Sequence, residues 1–300
     1  MTTSAAGAPP VAARSGVSNR RGPSPARGRG LYLLAGTLIG IVFLLPLLWA
    51  VLQSFEPSAA FTQPPTASDF SHLSLANYRG LIGGQAHILH YVFNSLWVSG
   101  GAAALTAFLS LLAGYGFGRF GFRGSTLIFA LTLVALMIPF QAVLTPLFLE
   151  LQAMHLTNSR VGLMLFYATY NLPFGVFVMR NTFRQIPDEL EDAARVDGAG
   201  VIRTMWQVMR PLVLPGVATT LIYTFLFSWN EFLGALTFLT TDSKYTLSVA
   251  LLNVETGTYG AVNYGYLVAG AVISMIPVVI LYVSLQRYYV QGLISGAVKG

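Results

Sequence analysis

The sequence predicts an all-α, polytopic membrane protein with six transmembrane helices. Three observations carry that reading. Hydrophobic residues make up 54% of the 300, charged ones only 9%, and mean hydropathy is +0.64, outside the composition of an ordinary soluble domain. The apolar residues fall in runs with few charges, each near the roughly 20 residues that a helix needs to cross a bilayer. Basic residues cluster in alternate connections between those runs, the pattern of the positive-inside rule.

Residues 1–30 are rich in Ala, Gly, Pro and Ser and carry Arg14, Arg20, Arg21, Arg27 and Arg29 without an acid, a composition that predicts a disordered tail. The charge-free run Leu31–Leu52 has 22 residues, longer than the roughly 7–15 of a signal peptide, and reads as an uncleaved first span. Further spans are expected at 92–114, 125–149, 161–179, 212–239 and 264–286, within a transmembrane domain of 31–290, followed by a tail at 291–300. Between spans one and two, residues 53–90 read as an irregular segment with a short interfacial helix near Leu75–Leu81. Six spans put both termini on one side. Placing that side in the cytoplasm leaves only Arg79, Arg160 and Lys244 outside, which predicts a multi-pass protein of the cell membrane with cytoplasmic termini.

Pairs four residues apart, Gly36 with Gly40 and Gly114 with Gly118, have the spacing that lets membrane helices approach closely. Pro46, Pro139, Pro146, Pro173 and Pro277 each remove a backbone hydrogen bond inside an apolar run and predict kinks in spans one, three, four and six.

Several kinds of chemistry are excluded or weakened. Without cysteine the chain has no disulfide and no thiol nucleophile. A net charge of +6 suggests nucleic acid, but the basic residues form no stripe with interleaved aromatics. Neither lysine, Lys244 or Lys299, follows a phosphate-cradling loop, so this chain is not itself an ATPase. His87 and His90 share a helical spacing, but two histidines with no acid nearby are an incomplete metal-ligand set. No serine lies in a nucleophile elbow, and we expect neither catalysis nor a cofactor in this chain.

The polar stretch Asp188–Pro211, between spans four and five, holds five of the 11 acids. Pro187 and Asp188 predict a helix start, Glu191 stands at the capping-box distance, and Gly198 supplies a left-handed stop. The helix would run from about Glu189 to Asp197 with a Glu191–Arg195 pair at i,i+4. A second, Val201–Met209, would end at Pro211. An ordinary solvated loop helix fits this pattern as well as a docking helix does. Glu231 is an acid inside a predicted span; it reads as a pathway group, or equally as one end of an interhelical hydrogen bond. Asn230, Gln141 and Asn171 are further in-span amides, of the kind that could meet sugar hydroxyls along a pathway.

The order Glu191-Asp192-Ala193-Ala194, three residues, Gly198, nine residues, Val208, Met209, Arg210, Pro211 resembles the EAA loop of ABC importer permeases. Trp229-Asn230-Glu231-Phe232 and the segment Gln286–Lys299 are similar to the carbohydrate subgroup that includes the maltose transporter's smaller membrane subunit. Asp192 stands where Glu is usual and Arg210 where Leu is usual. The resemblance implies the type I ABC importer fold, in which the 188–211 loop docks on a separate ATPase that carries ATP and Mg. It assigns coupling to Glu191, Asp192, Ala193, Ala194, Asp197 and Gly198. It also implies a second homologous permease, two ATPase subunits, an external solute-binding protein and a carbohydrate substrate moved by alternating access. A secondary transporter or channel working without nucleotide is the competing reading; such proteins commonly carry internal repeats, and none is evident here.

Overall fold

The computed structural model describes residues 25–56, 73–84, 87–256 and 263–297; of the tail expected at 1–30, residues 1–24 lie outside them while 25–30 are helical, and of the tail expected at 291–300 residues 291–297 are helical and the last three lie outside. The chain divides into two compact units, Met1–Trp49 and Ala50–Gly300. In the first, the described residues are those of α1 (Pro25–Gln53), which retains Pro46 within it. Its last turn belongs to the second unit.

The second unit is entirely helical among the described residues. Short α2 (Ala76–Gly83) leads into α3 (Ile88–Arg119). Then come α4 (Ser125–Ala135), α5 (Phe140–Ala153) and α6 (Arg160–Arg184). The polar stretch forms α7 (Asp188–Val196) and α8 (Val201–Thr204), which continues through a π turn into α9 (Arg210–Asn230). Helices α10 (Leu233–Phe238), α11 (Leu247–Glu255) and α12 (Tyr264–Ala297) complete it. Among the described residues five helices are long and apolar enough to cross a membrane, or six if α4 and α5 form one broken span.

Two of the expected spans take a different course, and the other four are longer helices than expected. Residues expected as one helix at 125–149 form two, bent by 104° at 136–139. Pro139 holds extended geometry there, at φ −63° and ψ 141°, and a residue ahead of proline is driven out of the α region. The span expected at 212–239 ends at Asn230, where Glu231 turns extended. Its start lies at Val201, because Pro211 does not stop the helix: the Arg210 N–H donates to the Met205 carbonyl, one residue further back than α register. That widened turn lets the chain pass a proline whose ring would clash in a regular helix. The fourth expected span, 161–179, is a longer helix of 25 residues, α6.

Helices α3 and α6 form the centre of the unit. At Gly114 a β-carbon would run into the Met179 side chain and meet the Arg180 nitrogen at 2.9 Å; at Gly118 it would lie 2.8 Å from the Phe183 β-carbon. Across the same seam Gly175 lies against Ser110 and Thr220. Small residues thus let two spans approach to backbone contact. A β-carbon at Gly36 or Gly40 would meet nothing within 4 Å. Around the seam, Val98, Leu163, Phe166, Tyr167 and Phe238 pack in one apolar cluster, and Met179, Phe183, Met209 and Val213 in another.

Because its β-carbon would meet backbone, Gly114→Val should lower stability by about 1–3 kcal/mol or more and reduce monodisperse protein after extraction. Gly116→Ala, where nothing lies within 4 Å, should not. Equal thermal midpoints for the two variants would contradict a glycine-dependent seam.

Candidate coupling site

Helix α7 is amphipathic, and its inward face is set by one carboxylate. Glu191 does not close a capping box: α7 begins after Pro187 without a side-chain cap. Its carboxylate turns instead toward the end of α3. The Tyr115 hydroxyl donates to Glu191 Oε1 at 3.0 Å, and Arg119 Nε lies 3.6 Å from Oε2. The Arg119 and Glu191 side chains are 6% and 10% accessible, so this pair is shielded from water. Arg119 also donates to the Ile186 carbonyl at 2.8 Å and pairs with Asp188 at the first position of α7. Arg195 closes the outer side, donating to Glu191 at 3.2 Å and to Asp192 at 3.0 Å.

The six candidate coupling residues therefore divide. Glu191 and Ala194 are buried against the chain's own helices, while Asp192, Ala193, Asp197 and Gly198 remain exposed. Gly198 stops α7 at φ +76°. The Ala199 N–H reaches the Ala194 carbonyl and the Gly198 N–H the Arg195 carbonyl, the paired bonds of a left-handed helix stop. Around the stop, several large apolar side chains are exposed. Val196 and Ile202 are each 87% accessible and Trp206 66%. Val201, Ile202, Trp206, Arg203 and Gln207 line an open hollow of about 670 Å³. Arg210 lies over the Trp206 ring, 4.6 Å from its centroid, which gives the cation at the unusual motif position an aromatic partner.

The four candidate pathway residues do not converge. Glu231 follows α9, and its carboxylate accepts from the Gly234 N–H at 2.9 Å and the Ala235 N–H at 3.3 Å, capping α10. It also accepts from the buried Tyr167 hydroxyl at 2.5 Å, so it joins α6, α9 and α10. Asn171 donates to the Tyr167 carbonyl, and its Oδ1 is buried without a hydrogen-bond partner among the described residues. Asn230 bonds back to Leu226 within its own helix and is exposed, as is Gln141.

The sequence motifs do not single out Tyr115, Arg119 or Tyr167. Arg119 carried a signal: a cation at the end of a span, six residues ahead of the next one.

Arg119→Ala would leave the Glu191 carboxylate without its shielded partner, a change costing about 3–5 kcal/mol at a buried pair. Amide exchange across residues 188–199 should accelerate in that variant and stay near wild type in Arg195→Ala, whose side chain is 63% accessible. Unaltered exchange in Arg119→Ala would contradict the clamp.

Known proteins share this architecture. Residues 108–295 match the family described as "Binding-protein-dependent transport system inner membrane component". The chain is 32% identical to the arabinooligosaccharides transport system permease protein AraQ of Bacillus subtilis, covering 90% of this chain and 97% of that protein. To the diacetylchitobiose uptake system permease protein NgcG of Streptomyces coelicolor it is 33% identical, over 83% of this chain and 82% of that one. A chain of a bacterial ABC transporter involved in the import of the acidic polysaccharide alginate superposes with a TM-score of 0.72 at 22% identity, covering 89% of this chain and 99% of that chain, and so shares the fold. A multi-pass helical chain with its acidic loop between two spans, matched over nearly its whole length, belongs to the binding-protein-dependent transport system inner membrane components, the permease subunits of ABC importers.

Proposed function

We propose that the chain is one of two permease subunits of a carbohydrate importer, with α7 and the following tip docking on a separate ATPase that binds ATP and Mg. The observation that carries this is the division of α7: one face is clamped to the membrane helices through Glu191, and the other is left exposed with Asp192, Asp197 and the apolar tip residues Val196, Ile202 and Trp206. The continuous helix Val201–Asn230 has 30 residues, about ten more than a bilayer core requires, so its first turns project into water. Exposed apolar side chains in that position mark a protein contact, and the acids supply charge for partner arginines or lysines.

The tip lies on the cytoplasmic side in this reading, with both termini there, because Arg119, Arg123, Arg184, Arg195, Arg203 and Arg210 gather at this end of the spans. The carbohydrate assignment is drawn from the relatives, whose names specify oligosaccharides. A solute-binding protein on the opposite side would deliver the sugar, and Asn230 and Gln141 are exposed amides suited to its hydroxyls. Glu231 serves as a joint between helices and acts on the path through Tyr167.

Reconstituted with an ATPase, a second permease and a binding protein, the complex should take up sugar only with ATP. Asp192→Lys should remove that uptake while leaving membrane insertion intact. Gly198→Val, which forces a β-branched residue into a left-handed conformation costing about 1–3 kcal/mol, should reduce it strongly. Full uptake by both variants, or uptake without nucleotide, would overturn the proposal.

A further inference from the structure

We propose that a hollow at the end of the spans opposite α7 binds the head group of an anionic phospholipid, one of whose acyl chains lies along α3. The hollow, of about 390 Å³, is lined by Phe93, Trp97, Ser159, Arg160, Val161 and Lys244. Its two cations are two of the three basic residues that the charge distribution leaves on this side.

Both cations are positioned without being neutralised. Arg160 donates to Asn94 Oδ1 at 2.5 Å, and Lys244 donates to the Asn158 carbonyl at 2.7 Å. The acceptors are themselves tied down. Asn94 donates to the Ser243 and Tyr245 carbonyls, and the Asn158 side chain accepts from the Thr240 and Thr241 N–H groups. Neither cation is ion-paired among the described residues. Ser159 accepts from the Gly162 N–H and retains its hydroxyl proton for a phosphate oxygen.

The wall beside the cations is apolar. Phe93 and Trp97, one turn apart on α3, are 61% and 54% accessible, and Leu89, Phe108 and Leu112 are exposed along the same helix. Arg160 is the first residue of a 25-residue span, which sets it at the boundary between water and hydrocarbon. Charge above an exposed aromatic flank matches an amphiphile with a phosphate head. A soluble acidic protein would reach the loops around Lys244 but has no use for the flank at Phe93 and Trp97.

Tryptophan quenching tests this directly on the full-length chain in its assembled complex. Nanodiscs of phosphatidylcholine are doped with phosphatidylglycerol or further phosphatidylcholine, each brominated on its acyl chain. Brominated phosphatidylglycerol should quench more strongly at equal mole fraction, and the excess should vanish in Trp97→Phe. Lys244→Gln, which leaves the Arg160–Asn94 bond in place, should lower the phosphatidylglycerol preference about fivefold. Millimolar inorganic phosphate should leave the quenching unchanged. Equal quenching by the two lipids, an excess that survives Trp97→Phe, or displacement by free phosphate would overturn the proposal. So would an unchanged lipid preference in Lys244→Gln together with weakened capture of an acidic binding protein.

Discussion

The close approach of α3 and α6 is the constraint on which the rest of the unit depends. Gly114 and Gly118 bring α3 against the α6 backbone, Gly175 of α6 lies against the Ser110 side chain, and both ends of the pair are used. At one end, α3 supplies Tyr115 and Arg119, and the chain leaving α6 turns back so that Glu191 meets them. At the other, Arg160 at the start of α6 reaches across to Asn94 of α3. A bulkier seam would separate both sets of partners together, so packing within the membrane and polar geometry outside it are one problem.

This arrangement gives α7 a mechanical character. Its inner face is held by a shielded carboxylate, and its outer face leaves Asp192, Asp197 and Val196 exposed, Asp192 paired only with the exposed Arg195 among the described residues. Breaking a shielded ion pair leaves a charge in a poor dielectric, which makes it a stiffer connection than surface pairs such as Arg195 with Asp192. In the proposed coupling, force applied at the tip would pass to α3, and through its packed seam to α6. Glu231 plays a comparable part deeper in the unit, where one carboxylate ends α9, starts α10 and holds Tyr167 of α6.

Much of this was legible in the sequence where it depends on local chemistry. Charge-free runs marked the spans, the Gly114–Gly118 spacing marked a close contact, and Gly198 marked a left-handed helix stop. Outcomes that depend on tertiary partners were not legible. The capping-box spacing of Asp188 and Glu191 was genuine, but a buried arginine on another helix competes better for that carboxylate than a solvated backbone N–H. Pro211 looked like a terminator because a regular α register was assumed; the π turn at 205–209 removes the clash. Glu231 fell in the middle of one expected helix because the apolar run continues to Leu239, whereas hydropathy does not reveal that a carboxylate can end one helix and cap the next. The divided span at 125–153 likewise shows composition reporting apolar length and not direction.

Clamped through Glu191, α7 should move as one body with α3. The chain has no cysteine, so spin labels can be placed singly at Val196→Cys beyond the clamp and Phe108→Cys on the exposed side of α3. Double electron–electron resonance on the assembled importer then reads the distance between them with and without ATP. A distance distribution unchanged between the two states is the result predicted for a rigid α3–α7 body. A nucleotide-dependent shift in that distance would show α7 moving independently of the helix that grips it, and would contradict the account.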